Sequence, residues 1–276
     1  MSTVPPAPAI RLRPRTAAAI ALTSVVGLAE FSWPLLIRPQ SSVAHGSDAP
    51  WLFALLLVLV LAVVLAELAE GGMDAKAVAL LGVLAAIGAA LRPLGAGTAG
   101  IETVWFLLVL GGRVLGRGFG FVLGAVTLFA SALLTAGVGP WLPFQMLGAA
   151  WVGFGAGCLP ARLRGAWEVG ALAAYGALAG LLYGLLLDLS FWPFLATSGS
   201  IAYLPGAPLA VNLQRFVAFD LATSFGWDIP RAVTNAVLIA LTGPPVLLAL
   251  RRAAHRAAFA APVRFEDATP AAQQDS

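Results

Sequence analysis

Charged and amide side chains near the ends of long apolar segments are the residues of this chain that could do chemistry. Arg92 and Glu102 bracket the sequence RPLGAGTAGIE, and Gln145 ends the later triplet PFQ. Charge is costly in apolar surroundings, so these positions favour either a binding site or an ion pair, and the two charges could pair with each other. The glycines between them permit backbone conformations closed to other residues. Such groups could fix the polar edge of a small molecule.

Aromatic side chains accompany these polar groups. Trp141, Phe144 and Trp151 share an apolar segment with Gln145, and they predict a surface on which a flat ring can stack. Trp141 equally fits the aromatic belt of a membrane interface. Residues 188–228 are too long for a simple connection, so we expect them to form a lid. The candidate binding residues from all these segments are Arg92, Thr98, Glu102, Trp141, Phe144, Gln145, Trp151, Asp188, Trp192, Asn212, Arg215, Asp228 and Asn235.

Catalytic chemistry is poorly supported by the residue types. The chain has two histidines, His45 and His255, and one cysteine, Cys158. The histidines are predicted in loops at opposite faces, where they can form neither a metal cluster nor a Ser/His pair. The sequence also lacks the GxxxxGK[ST] phosphate loop. We therefore expect no catalytic site, no metal site and no resident cofactor, and any ATP must be hydrolysed by other chains.

The elements that must position these residues are apolar helices. Of the 276 residues, 60% are hydrophobic and 11% charged, and the mean hydropathy is +0.90. This balance predicts an integral membrane protein. Apolar blocks near the roughly 20 residues that cross a bilayer, without alternation, predict an all-α fold rather than a barrel. The eight expected spans are residues 17–37, 51–69, 77–91, 101–115, 119–135, 142–159, 169–187 and 229–250.

The basic residues predict the topology. Twelve of the sixteen fall on one side of these spans, together with the N-terminus. The excess of Lys and Arg on cytoplasmic segments then places both termini in the cytoplasm of a plasma-membrane protein. Topology thus explains the basic composition, and we expect a lipid bilayer rather than a nucleic acid as the partner. The chain divides into two extra helices within 1–72, a six-helix unit at 73–252 and a polar cytoplasmic tail at 253–276, which we expect to be disordered.

The unit at 73–252 resembles the substrate-binding (S) component of energy-coupling factor (ECF) vitamin transporters. The resemblance is carried by MDAK before ALLGVLAAIGAALR, by PFQ opening a glycine-rich span, and by WDIPRAVTNAVLIALTGPP near the end. It implies a subunit that captures a vitamin-like molecule from outside and has no ATPase of its own. The partners implied are a transmembrane coupling subunit and a pair of ATPase subunits. The two extra N-terminal helices depart from the six-helix plan.

Small residues recur every four positions on two predicted spans, a spacing that lets helix backbones approach closely. Internal packing is the default interpretation of each track. The resemblance implies that the track on the third span meets the coupling subunit instead. The two tracks are Gly82, Ala86 and Ala90 on the third span, and Gly176, Gly180 and Gly184 on the seventh.

Two other functions remain open at the level of sequence. One is a stand-alone secondary transporter, although inverted repeats and charges central in the spans, which are common in such carriers, are weak here. The other is a membrane scaffold that binds no ligand. The substrate also stays open: riboflavin or another flat vitamin, cobalamin and a thiamine precursor are all compatible with the residues.

Overall fold

The all-α prediction is confirmed by the computed structural model, which describes residues 10, 12–36, 49–69, 73–95, 100–195 and 198–257. These residues form ten α-helices and a 3₁₀ turn at Arg92–Gly95. The helices are α1 (Pro14–Phe31), α2 (Trp33–Leu36), α3 (Ala49–Ala69), α4 (Ala75–Leu91), α5 (Trp105–Leu115), α6 (Arg117–Leu134), α7 (Leu142–Cys158), α8 (Gly165–Leu195), α9 (Leu209–Thr223) and α10 (Phe225–Ala257).

Four stretches of helix in the described part are long and apolar enough to cross a membrane. They are α4 with its 3₁₀ turn, α6, α8 and α10. Leucine and valine side chains stand exposed along the outward faces, as at Leu182 and Leu248. Exposed apolar surface on this scale fits lipid contact, because soluble monomers rarely present it. The length and composition of the helices indicate a multi-pass membrane protein.

Glycines let the central helices pack closely. A Cβ atom on Gly120 of α6 would overlap the backbone carbonyl of Gly153 of α7, and a Cβ on Gly153 would overlap that of Gly120. Gly116 lies between α5 and α6 with a φ of +108°, a conformation that side chains other than glycine rarely adopt. The chain can therefore end α5 at Leu115 and begin α6 at Arg117 without a long connection.

One ionic cluster joins α5, α8 and α10 at the predicted inner end. Glu168 accepts hydrogen bonds from Arg113 Nε at 2.7 Å and from Arg251 Nη2 at 2.6 Å. The other two nitrogens of Arg113 donate to the backbone carbonyls of Leu159 and Leu163, at 2.9 and 3.2 Å. We call Arg113, Glu168 and Arg251 the inner cluster. It fixes three helices relative to one another.

Several predicted boundaries are wrong. α1 ends at Phe31, and α8 and α10 run well beyond the predicted spans at both ends. α10 also continues five residues into the predicted tail, to Ala257, whereas 258–276 and the linker residues 37–48 lie outside the described residues. The predictions ended spans at prolines and charges. A helix continues past both where its ends reach the membrane interface, and α10 includes Pro230 and Arg231.

Candidate functional site

Residues 100–104, which precede α5 and are not helical, form the base of the candidate site. α5 has 11 residues, which span about 17 Å and cannot cross a bilayer core of roughly 30 Å. The prediction of a span at 101–115 is therefore wrong at its start. A Cβ on Gly100 would overlap the carbonyl of Trp227, so the start of α10 covers this segment. Irregular backbone at membrane depth needs such protein cover, and it commonly lines transporter binding sites.

Glu102, at the end of this segment, is the centre of a buried ionic network. Its Oε1 accepts a hydrogen bond from Arg231 Nη2 at 3.0 Å, and its Oε2 accepts one from the indole of Trp105. Arg231 Nη1 donates to Asp228, and the guanidinium carbon lies 5.6 Å from the ring centroid of Tyr183. Arg231 is only 9% exposed. We call these five residues the outer network, since they lie at the predicted outer end.

The outer network leaves polar atoms without partners. Among the described residues, Arg231 Nε and the Oδ1 atom of Asn235 are buried and have no hydrogen-bond partner. Asn235 lies one turn further along α10, is 1% exposed, and donates weakly to the carbonyl of Gly176 at 3.4 Å. An unmet buried polar group costs about 1 to 3 kcal/mol. Arg231 Nε is a donor and Asn235 Oδ1 an acceptor, and they lie on successive turns of α10. Their lack of partners therefore indicates that a polar ligand or an ordered water binds there.

Arg92 does not pair with Glu102, as the sequence suggested it could. Its Nη2 donates to Gln145 Oε1 at 3.1 Å and its Nη1 to Ser131 Oγ at 3.5 Å. The side chain thus joins the end of α4 to α6 and α7, while Glu102 faces α10. The predicted site residue Thr98 lies outside the described residues. Arg92 and Gln145 form a second polar pair near the same end of the molecule.

Three carboxylates meet above the outer network. Asp188 of α8, Asp220 of α9 and Asp228 of α10 each offer an oxygen atom within 4.8 Å of the others. Asp188 Oδ2 and Asp220 Oδ1 are buried without a partner in the described part of the chain. Burial raises the pKa of the Asp220 carboxyl. Asp228 belongs both to this group and to the outer network, so the two are continuous.

The predicted lid contains a helix, α9, that packs against the end of α8. Trp192 is fully buried, and its ring centroid lies 5.4 Å from that of Tyr203, 5.6 Å from that of Phe216 and 6.5 Å from that of Phe219. Its indole nitrogen donates to the Ile201 carbonyl at 2.7 Å. The structure thus places Trp192 in a cluster that packs α9 against α8.

Asn212 and Arg215 hold the lid together from within. Asn212 donates to the carbonyl of Leu204 at 2.9 Å and accepts from its amide at 3.1 Å. Arg215 donates to the carbonyls of Gly199 and Ala202, at 3.2 and 3.1 Å. Both side chains satisfy the backbone of the loop that precedes α9. Their hydrogen bonds here are therefore structural.

The predicted aromatic surface on α7 does not form. Phe144 is buried between Phe31 and Phe191, with ring centroids 4.9 and 5.6 Å away. Trp141 is 42% exposed and donates to the Gly137 carbonyl, as an interfacial residue would. Trp151 turns towards α1. Side chains on α7 thus point into different surroundings, because different neighbouring helices cover different parts of its surface.

A cavity of about 170 Å³ lies between α7 and α8. Its walls include the rings of Trp151, Tyr175 and Tyr183, and its lining is largely apolar. The indole nitrogen of Trp151 donates to Ser24 Oγ at 2.9 Å, and the hydroxyl of Tyr175 donates to a backbone carbonyl of α7, so both polar tips are engaged. Tyr183 borders this cavity and also the outer network. An apolar, aromatic space thus adjoins the outer network.

The two small-residue tracks lie in opposite surroundings. Gly82, Ala86 and Ala90 are exposed, and a Cβ on Gly82 would meet no atom of the described residues within 4 Å. The track on α8 is buried against α10: a Cβ on Gly180 would lie 3.1 Å from Asn235 Nδ2, and one on Gly184 would overlap the Asp228 carboxylate. Internal packing is therefore the correct interpretation of the α8 track.

The sequence prediction missed Arg231, which binds both Glu102 and Asp228. Its signal was present, because Asp228 and Arg231 are three residues apart in an otherwise apolar helix, where isolated charge is costly. Asp220, Tyr183 and Trp105 carried no comparable signal. No protein-family model, no curated protein and no solved structure matches this chain.

Proposed function

We propose that this chain is the substrate-binding subunit of an ECF-type transporter, which binds a small vitamin-like molecule at its outer end. The observation that carries the proposal is a pair of buried atoms without hydrogen-bond partners among the described residues: Arg231 Nε of the outer network and Oδ1 of the neighbouring Asn235. Evolved proteins seldom leave buried donors and acceptors unmet without a functional reason. The sequence resemblance suggests the transporter class, and the two buried atoms without partners support a ligand site at this end of the bundle.

The proposed membrane arrangement has eight spans with both termini in the cytoplasm. α1 and α3 are the two extra spans, and α4 to α8 with α10 are the six-helix core. The short helix α5 crosses together with the covered segment before it. α9 is the outer lid. This arrangement places the basic inner cluster on the cytoplasmic side, in agreement with the distribution of Lys and Arg.

The residue types of the site suit a substrate with a polar edge and a flat apolar part. Arg231, Glu102 and Asn235 offer both donors and acceptors for the polar edge. The aromatic cavity that adjoins them at Tyr183 suits a ring. The substrate does not react, so this subunit needs no catalytic group.

The proposed partners are a transmembrane coupling subunit and a pair of ATPases. The exposed stripe Gly82, Ala86 and Ala90 supports a contact with the first of these. Small residues allow a partner helix to approach within van der Waals distance where no hydrophobic effect operates. The stripe faces away from the outer network, so the two surfaces can act at the same time.

The substitution Asn235→Leu tests the binding site. It removes an amide whose Oδ1 is unmet, and replacement by an apolar group of similar size should leave folding nearly unchanged. Ligand retained by the gently purified protein, identified by mass spectrometry, should fall by the equivalent of about 1 to 3 kcal/mol in affinity. The matched control is Trp141→Phe, at an exposed position of the same end, which should retain ligand. Equal retention by wild type and Asn235→Leu would overturn this site.

A second candidate function is a proton- or cation-coupled secondary carrier. The meeting of Asp188, Asp220 and Asp228 favours it, since coupled carriers place carboxylates within helix bundles. Proteoliposomes that contain this chain alone distinguish the two functions. Accumulation of the retained ligand under an ion gradient would establish the carrier, and binding without accumulation agrees with the transporter subunit.

A further inference from the structure

The lid is a compact unit that contacts the helix bundle mainly through one small apolar cluster. Asn212 and Arg215 bind the backbone of the loop before α9, so the loop and the helix move as one piece. Most residues of α9 are exposed, and its buried apolar contact with α8 consists of Phe216 and Phe219 packed with Leu189 and Trp192. Elements with few buried contacts open at low cost in free energy.

The underside of this lid carries one carboxyl group that faces another. Asp220 of α9 lies opposite Asp188 of α8, and each offers a carboxylate oxygen within 4.8 Å of one from the other. The buried oxygens Asp188 Oδ2 and Asp220 Oδ1 have no donor among the residues that the structure describes. Two ionised carboxylates are acceptors only, and they repel at this range. One proton between them would remove the repulsion and supply the missing donor.

The surrounding charges do not replace that proton. On α10, Asp228 adds a third negative charge, and Arg231 already binds Asp228 and Glu102. The hydroxyl of Ser224, which neighbours Asp188, carries no charge. On α9, Arg215 is held by backbone carbonyls of the loop. The short helix α2, WPLL, also packs against α9 and has no titratable side chain.

We propose that Asp188 and Asp220 share one proton, and that this proton latches the lid over the outer network, so that its loss opens the lid. The direction follows from the chemistry: the latch is closed while the pair holds the proton and opens as the pH rises. Burial raises the pKa of Asp220 and so keeps the proton bound to a higher pH than in an exposed aspartate. Control of ligand access rests on the proposed function, whereas the latch itself does not.

Hydrogen exchange of the α9 amides tests the latch in the full chain without ligand. Protection is expressed relative to the intrinsic exchange rate, so that the direct effect of pH on exchange cancels. In the wild type, protection at 209–223 should fall as the pH rises, by up to roughly tenfold for each pH unit above the pKa of the pair. Protection of α6, which lies inside the bundle, should hardly change over the same range.

The variants Asp220→Asn and Asp188→Asn test whether the shared proton, rather than the packing around it, makes the contact depend on pH. An amide donates to the remaining carboxylate and does not titrate in this range, so α9 should stay protected with little dependence on pH. Two variants are used because either one could fold poorly. Asp74→Asn is the control, since Asp74 caps α4 away from the lid and asparagine also caps helices. It should keep the wild-type pH dependence.

Three results would overturn the latch. The first is wild-type protection of α9 that does not vary with pH. The second is an unchanged pH dependence in both asparagine variants. The third is loss of protection at low pH on adding EDTA, which would mean that a bound cation holds the lid. Failure to find a retained ligand, by contrast, would overturn the proposed function and leave the latch standing.

Discussion

The two ends of the bundle formed by α5, α8 and α10 carry similar ionic residues in different states. At the inner end, one carboxylate, Glu168, binds two arginines, and the remaining donors of Arg113 reach backbone carbonyls. At the outer end, Arg231 lies between two carboxylates and keeps an unmet Nε. A fully satisfied cluster stabilises a fold. A cluster that is only partly satisfied and has more carboxylates than arginines marks the other end. There we expect the ligand to bind and the lid to be regulated.

The largest expected effect comes from breaking the inner cluster with Glu168→Ala. The carboxylate side chain is 3% exposed, and its loss leaves Arg113 buried without its partner. Removing one member of a buried ion pair costs about 3 to 5 kcal/mol. We expect the lower part of that range, because Arg251 is half exposed and can turn to solvent. The free energy of unfolding in detergent measures it.

The control for this change is Arg252→Ala, at an exposed position next to Arg251. It should alter stability by no more than about 0.5 kcal/mol. Similar unfolding of the two variants would show that the inner cluster does not stabilise the bundle, and the contrast between the two ends would lose its basis.

An intermediate effect is expected for Gly184→Ala on the buried track of α8. The new Cβ would overlap the carboxylate of Asp228 and push it away from Arg231. Overpacking of this kind costs about 1 to 3 kcal/mol. Gly82→Ala is the matched control, because the space around its Cβ is empty and alanine favours the helix by up to about 1 kcal/mol. Thermal unfolding that ranks the two in the opposite order would contradict the packing of α8 on α10.

The smallest effect on stability is expected for Ala86→Leu on the exposed stripe of α4. The substitution touches neither ionic cluster, so unfolding should change by no more than about 0.5 kcal/mol and ligand should be retained. ATP-dependent uptake in cells that carry the proposed partner subunits should fall, since leucine prevents a close helix contact. Normal uptake would remove the stripe from the proposed interface, and poor folding of the isolated subunit would indicate internal packing instead.

The helices were largely predictable, but their ends were not. Apolar blocks identified the positions of the long helices because hydrophobicity and length are local properties. The non-helical start of the segment at 101–115 was not predictable. An apolar pattern does not distinguish a helix from irregular backbone that is buried beneath another helix. The extensions of α8 and α10 depend on where their ends meet polar surroundings.

The candidate site was predictable only in part. Glu102 and Asp228 were selected because charge near a span is unusual, and the structure places both in the outer network. Phe144 was selected for its residue type, and it lies in the apolar core because α1 and α8 cover it. The aromatic surface failed as a prediction because the orientation of each ring depends on neighbouring helices.

The sequence by itself determined that this is an α-helical membrane protein without a phosphate loop of its own. Those properties follow from composition, from block length and from hydrogen bonds that each helix makes within itself. Only the tertiary structure decided which polar residues meet. Glu102 binds Arg231 across 129 positions of sequence, and Arg92 turns to Gln145 instead. These pairings depend on how the helices cross and rotate against one another, which packing between distant segments sets and no local pattern encodes.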